Sequence, residues 1–391
     1  MLETHIFFRD LQINRHICLM VLSSILVFLF IVYAALLLYY AYAWASMPLW
    51  KGKLPAENLP KVSILIPVRN EEGNIGELLR CIEKQSYPSQ LIEVIVINDQ
   101  STDNTVSIVQ SFPLVTLLHL PAIKINSYKK AAIEMGVSNA SGSIIITTDG
   151  DSLPSALWVA TIVSRMETSQ AKFVAAPVFM PSNGTVLGIF QCLDFMVLQG
   201  ITGASVYKKI AALCNGANLA YTKEAYIAVD GFTNITHIAS GDDLLLMGKI
   251  ARAFPENIAY LKSKDAIVNT QPMGTWKRFF NQRIRWASKT FVYEDKRLIA
   301  VLLLVYLFNV SFLLLGVLSI FNVYYLWILL KMLLAKTFIE LPLVLSLAVF
   351  FDVRRFIPFY ILLQPIHILY TCVSGLFSQI TQYEWKGRKV K

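Results

Sequence analysis

Between Ile17 and Trp50 the chain carries no charged side chain. The part from Ile17 to Trp44 is longer than the roughly 20 residues a helix needs to cross hydrocarbon. Ala43-Trp44-Ala45 has the small-x-small form of a signal-peptide cleavage site. The apolar stretch before it is nevertheless too long for a signal h-region. A transmembrane helix is therefore expected over 17–45. The other end repeats the pattern. Leu298–Leu330 is uncharged and continues to Phe351 with only Lys331, Lys336 and Glu340 interrupting, and Phe356–Tyr383 is uncharged but broken by Pro358 and Pro365. Two or three further spans are expected over 298–378. Overall composition agrees: 55% hydrophobic against 16% charged excludes a disordered or disulfide-scaffold chain and argues against an ordinary cytosolic protein.

Charge distribution orients the chain. Lys51, Lys53 and Lys61 follow the first span, and Lys277, Arg278, Arg283, Arg285 and Lys289 precede the second. By the positive-inside rule the middle segment faces the cytoplasm. Arg354 and Arg355 fit a second cytoplasmic loop, whereas three C-terminal spans would place the basic tail outside. The net charge of +9, in a chain this apolar, points to anionic lipid head groups and phosphorylated substrates rather than nucleic acid. The cysteines Cys18, Cys81, Cys192, Cys214 and Cys372 have no C-x-x-C spacing, which suggests neither a zinc site nor a disulfide framework.

From about 61 to 291 the sequence alternates short β-branched runs with helical stretches. Val62–Val68, Ile92–Ile97, Val115–Leu120 and Ser143–Thr148 read as buried strands, and Glu71–Lys84 as a helix with Ile75, Leu78, Leu79 and Ile82 on one face. Such alternation predicts a doubly wound, mostly parallel α/β sheet, with the ligand beyond the carboxyl ends of the strands. The acids sit there: Asn70-Glu71 after the first strand, Asp99 after the second, Asp149 and Asp151 after the fourth. The sequence has neither G-x-G-x-x-G nor G-x-x-x-x-G-K-[ST], so a dinucleotide or P-loop site has no support. Strand-end carboxylates point instead to a nucleotide held through its hydroxyls, with a hard divalent cation neutralising the phosphates.

The order of the motifs narrows the field. Asp99, then Asp149-Gly150-Asp151, Asn215-Gly216-Ala217-Asn218, Gly241-Asp242-Asp243 and Gln282-Arg283-Ile284-Arg285-Trp286 follow one another before the C-terminal spans. This arrangement resembles the membrane-bound enzymes of glycosyltransferase family 2, such as hyaluronan, chitin, cellulose and poly-N-acetylglucosamine synthases. The resemblance implies a cytoplasmic GT-A-type domain flanked by transmembrane helices, in the bacterial inner membrane. It also implies an inverting, metal-dependent transfer from a nucleotide-diphosphate-sugar, UDP-linked, with Mg²⁺ or Mn²⁺ as cofactor. Glu71, Asp99, Lys129 and Asp149 would bind the donor, and Asp151 with Asp149 the metal. Asp243 would act as general base, and Gln282, Arg285 and Trp286 would close over pyrophosphate and acceptor. The acceptor is a growing polysaccharide or a membrane lipid; the relatives favour polymer extension, with N-acetylglucosamine as the sugar, and the few spans favour a lipid. Alternatives are single transfer to a polyprenyl phosphate or glycolipid, and a transport component that binds nucleotide-sugars without chemistry.

Several of these residues have structural readings too. Asp103 would cap a helix, one of Asp242 and Asp243 would serve as an N-cap, and Trp286 could belong to an interfacial belt. Arg283 and Lys289 are expected at lipid head groups. His119, His237 and His367 have no partners at ligand spacing. Lys336 and Glu340, four apart in a membrane segment, are expected to pair on one helix face, as a neutralised structural pair or as part of an acceptor path.

Overall fold

The computed structural model describes residues 2–54, 57–122, 125–238, 241–288, 295–378, 383–385 and 388–390. Lys289, Lys386 and Lys391 lie outside them. In chain order, the elements begin with helix α1 (Leu2–Ser46), β1 (Val62–Val68), α2 (Ile75–Glu83), β2 (Ile92–Asn98), α3 (Thr105–Gln110), β3 (Val115–His119), α4 (Tyr128–Asn139) and β4 (Ile144–Thr147). Next come β5 (Leu153–Pro154), α5 (Trp158–Ser169), β6 (Phe173–Ala175), β7 (Val178–Phe179), α6 (Val186–Tyr207), β8 (Leu219–Thr222), α7 (Lys223–Ala228), α8 (Asp242–Ala253), β9 (Ile258–Tyr260) and β10 (Val268–Asn269). The chain ends with α9 (Trp276–Ala287), α10 (Lys296–Phe321), α11 (Val323–Phe350), α12 (Ile357–Leu362), α13 (Gln364–Phe377), β11 (Tyr383–Trp385) and β12 (Arg388–Val390).

Seven strands form one sheet in the order β3-β2-β1-β4-β8-β6-β9. β1 pairs in parallel with β2 and β4, with Val62 opposite Ile92 on one side and Ile144 on the other, and only β8 runs against its neighbours. Central parallel strands are covered on both faces, which is why they read as continuous β-branched runs rather than alternating ones. On one face Ile64, Ile66 and Val68 pack with Ile75, Leu78, Leu79 and Ile82 of α2 and Trp158 and Ile162 of α5. On the other, Leu65, Ile95 and Ile97 pack with Ile133 and Val137 of α4. The helix expected from Glu71 starts only at Ile75, leaving Glu71 in the turn after β1.

The second core does not stop at the sheet. It runs on through Cys192 and Met196 of α6 into Tyr33, Leu37 and Trp44 of α1 and Leu343 and Leu347 of α11. Helix α6 departs from the sequence reading, which treated 61–291 as simple strand–helix alternation. It is long and apolar enough to cross a membrane, yet much of it is buried within the fold. Glycines on it allow this close fit: a Cβ at Gly200 would lie 2.4 Å from Leu347, and one at Gly203 would lie 2.9 Å from Trp44. Small residues bring helices together in this way wherever packing rather than the hydrophobic effect drives association. Lys262 fastens the same corner, donating to the Trp44 and Met47 carbonyls at 2.6 and 3.0 Å near the C-terminus of α1.

Among the described residues, Met20–Ser46, Val186–Tyr207, Lys296–Phe321 and Val323–Phe350 are long and apolar enough to span a membrane, and Arg354–Leu362 with Gln364–Phe377 forms a pair bent by 68°. The uncharged run from Leu298 divides at Asn322, whose side chain accepts from the Tyr324 N–H to cap α11. Lys336 and Glu340 do pair, at 2.7 Å. Glu340 also accepts from the Tyr33 hydroxyl, from Tyr360 at 2.7 Å and from Gln364 at 2.6 Å, while Lys336 donates to Gln364 at 2.6 Å. The carboxylate accepts four hydrogen bonds and the ammonium donates two, so the pair is neutralised and ties α1, α11 and the bent segment together.

Candidate active site

The turns after β1 and β2 are stitched together. Arg69 donates to the carbonyls of Asp99 and Gln100 at 2.8 and 2.9 Å, the Glu71 N–H donates to Thr105 at 2.7 Å, and Asn70 accepts from the Thr102 N–H at 2.8 Å. Asn70 and Gln100 hold left-handed backbone, with φ of 53° and 52°. These ties fix Glu71 and the buried Asp99 side by side at the carboxyl edge of the sheet. Asn104, not Asp103, holds the N-cap position of α3; Asp103, one residue before it, accepts from the Thr105 N–H at 3.1 Å.

One strand over, the chain leaves β4 through Thr148, whose hydroxyl donates to the Ala217 carbonyl at 2.8 Å. Asp149 and Asp151 follow. Lys129, in the first turn of α4, lies 2.6 Å from Asp149 and 3.3 Å from Asp242. Burial alone would lower its pKa, but Asp149 and Asp242 outweigh burial and hold it well above the ordinary lysine value. Asp151 accepts from the Thr270 hydroxyl at 2.9 Å. Burial, reinforced by the neighbouring Asp149 carboxylate, raises its pKa above the usual aspartate value. A half-buried carboxylate pushed upward by a second one is a place where a cation is favourable. Among the described residues no third His, Cys, Asp or Glu joins them in a metal-binding group. A divalent ion held here would complete its shell from phosphate oxygens and water, as Mg²⁺ habitually does.

Neither Asp242 nor Asp243 is an N-cap. Gly241 occupies that position with φ of 79°, and both acids lie in the first turn of α8. Asp243 accepts from the Gly216 N–H at 3.0 Å and the Leu244 N–H at 2.8 Å. Asn218 is structural: it donates to the Pro177 and Ala266 carbonyls and accepts from the Trp158 indole.

All nine residues singled out from the sequence, namely Glu71, Asp99, Lys129, Asp149, Asp151, Asp243, Gln282, Arg285 and Trp286, line one cavity of about 440 Å³. Besides the acids and Lys129, the lining includes Val178, Met180, Phe195, Leu198 and Trp286, which pack as one apolar cluster; in it the indole packs on Phe195 of α6 with ring centroids 5.9 Å apart. Asp242, Thr270 and Gly216 also line the cavity, although the sequence assigns none of them a part in the site. For Asp242 the signal was present in the Gly-Asp-Asp step; Thr270 stands alone in sequence and carried none.

Arg283 corrects its expectation. It is not at a lipid head group but is buried, paired to Asp194 of α6 at 2.6 Å. His367 lies near the same carboxylate, its Nε2 3.9 Å from Asp194, and among the described residues it joins no group that could hold a metal.

Comparison with known proteins agrees with this geometry. The family model described as Glycosyl transferase family 2 matches residues 63–226. A probable glycosyltransferase, YdaM, of Bacillus subtilis is 26% identical over 254 residues, covering 62% of this chain and 57% of the relative. An undecaprenyl-phosphate 4-deoxy-4-formamido-L-arabinose transferase of Proteus mirabilis is 36% identical over 98 residues, covering 24% and 30%. The chain thus spans less than two thirds of the length of these curated relatives. Among solved structures, the mannosyltransferase PcManGT from Pyrobaculum calidifontis, in complex with GDP-Man and Mn²⁺, superposes with a TM-score of 0.57 at 21% identity, over 92% of this chain and 99% of that one. That likeness concerns the fold. The matching segment begins in β1, ends in α7 and contains the strand-end acids Glu71, Asp99, Asp149 and Asp151, and over that segment the chain is similar to glycosyltransferase family 2.

Proposed function

We propose that the protein is a membrane-embedded, inverting glycosyltransferase. It would move a hexosyl or N-acetylhexosaminyl unit from a nucleotide-diphosphate-sugar, UDP-linked, to a hydroxyl of a membrane-anchored acceptor. The observation that carries this reading is a single cavity whose lining gathers the strand-end acids and Lys129 together with an apolar cluster of Val178, Met180, Phe195, Leu198 and Trp286. Glu71 and Asp99 hold base and ribose. Asp149 and Asp151 hold Mg²⁺ or Mn²⁺, which, when bound, offsets charge on the leaving diphosphate. Lys129 and Arg285 bring positive charge to the same phosphates. Asp243 takes the acceptor proton, and a single base opposite the leaving group gives inversion. Gln282 and Trp286 close the acceptor side, the indole suiting the apolar face of a sugar.

Two features favour a lipid-anchored acceptor over a secreted polymer. The interior of the helix bundle is filled by Tyr33, Phe308, Phe312, Leu343 and Leu347, and its charged pair, Lys336 and Glu340, is engaged with itself and with Tyr33, Tyr360 and Gln364. The name of the Proteus relative supports a second reading, transfer to a polyprenyl phosphate. A phosphate oxygen is already deprotonated, so that reaction needs no base. The test is purified protein in proteoliposomes with Mn²⁺ and a panel of radiolabelled UDP- and GDP-sugars, with and without undecaprenyl phosphate. One lipid-soluble species carrying one sugar is expected. A ladder of high-mass product would overturn the lipid reading, and no transfer with any donor would overturn the enzyme.

A further inference from the structure

Buried ion pairs are costly to bury and are kept where they fix a geometry. Asp194 and Arg283 form one beside the cavity, with both side chains 3% exposed. Arg283 extends from α9 between two rings of its own helix, its guanidinium 4.3 Å from the Trp286 ring centroid and 4.8 Å from that of Phe279. Its Nη2 donates to one oxygen of Asp194 on α6. The other oxygen accepts from the Tyr370 hydroxyl on α13. Tyr370 in turn packs edge-on against Phe279 and Phe190, with centroids 5.4 and 5.6 Å away. Arg283 and Asp194 do not line the cavity, whereas Trp286 does.

We infer that Asp194 is a positioning residue, holding Arg283 so that Trp286 keeps its place on the acceptor side, and that Tyr370 couples this to the bent membrane segment. The geometry leaves the indole little choice. One face lies under a guanidinium that Asp194 anchors by a charge-assisted bond, and Phe195, the residue after Asp194, packs on the ring. Moving Asp194 therefore displaces both neighbours of Trp286 together. The donor half is held by other strands and loops and is not part of this network. The kinetic side of this inference rests on the proposed transfer reaction; the structural side does not.

The test uses the full chain in nanodiscs, labelled with 5-fluorotryptophan. The sequence has seven tryptophans, and Trp286→Phe identifies the Trp286 resonance by its loss. Asp194→Asn should shift or broaden that resonance while leaving those of Trp50 and Trp158 in place. It should raise the acceptor KM roughly ten- to a hundred-fold, as small misplacements do, with Mn²⁺–UDP or Mn²⁺–GDP binding unchanged. Tyr370→Phe, which removes only a hydroxyl, should move the same resonance less and serves if Asp194→Asn does not fold. An unmoved Trp286 resonance in a folded variant overturns the inference whether or not the protein transfers sugar. Equal losses in acceptor KM and donor binding would also overturn it, by showing general loosening. Absence of turnover in the unaltered protein would count against the proposed reaction, and the resonance would still decide the positioning role.

Discussion

Lys129 Nζ lies 2.6 Å from Oδ1 of Asp149, and since it also reaches Asp242 it joins the end of β4 to the start of α8. One cation thus gathers acids that would otherwise repel one another in a partly buried site. Lys129→Met should weaken nucleotide-sugar binding by about tenfold or more, roughly 1.4 kcal/mol, read by titration with Mn²⁺–UDP or Mn²⁺–GDP. The folded-state pKa lies above the ordinary 10.5, so the linked stabilisation is fully present below that value and is lost only as pH rises past it. The difference in Tm between the two proteins should therefore stay flat from about pH 6 to 9. A difference that shrinks across that range would show that the lysine titrates within it.

Asp243 is the proposed base. Asp243→Asn should lower transfer to a hydroxyl acceptor by roughly 10²–10⁴ while donor affinity changes little. Full activity toward undecaprenyl phosphate in the same variant would instead identify a phosphate acceptor.

Asp149 and Asp151 flank a glycine at a strand end. Activity should vanish in excess chelator and return with Mg²⁺ or Mn²⁺, and Asp151→Asn should reduce both donor affinity and rate. Turnover that persists in chelator would remove the metal from the reaction.

Gly150 lies against Glu71. A Cβ there would come 2.9 Å from Glu71 Cγ and 3.2 Å from Val68, so the side chain must move. Gly150→Ala should lower nucleotide affinity several-fold with little change in Tm, since the displaced group is a side chain rather than backbone. Unchanged affinity would mean that Glu71 does not touch the donor.

Glu340 accepts hydrogen bonds from Tyr33, Lys336, Tyr360 and Gln364. A leucine or a glutamine in its place would strand a buried ammonium, and breaking a buried pair costs about 3–5 kcal/mol. Glu340→Gln should sharply lower Tm in detergent, whereas the double change Glu340→Leu with Lys336→Leu should recover much of the loss. Similar Tm values for all three proteins would show that the network bears no stability.

What the sequence determined by itself is whatever depends on local order. Long apolar runs mark α1, α10 and α11, because a helix crossing hydrocarbon needs roughly 20 predominantly apolar residues. Continuous β-branched runs mark β1, β2 and β4, because strands covered on both faces need no polar side. The order of acids along those strands locates the cavity, because a parallel sheet brings all its carboxyl ends to one edge. The tertiary structure decided the matters that pair residues far apart in sequence. Arg283 looks like a membrane-surface cation until Asp194, on a different helix, is beside it. Lys336 and Glu340 announce their own pairing through i,i+4 spacing, but Tyr33 and Gln364 join them only because α1 and the bent segment pack there. Helix α6 was hidden for the same reason. Its polar positions, Gln191, Asp194 and Gln199, are buried and satisfied by Met273, Arg283 and Val178, partners that hydropathy along a single chain cannot reveal.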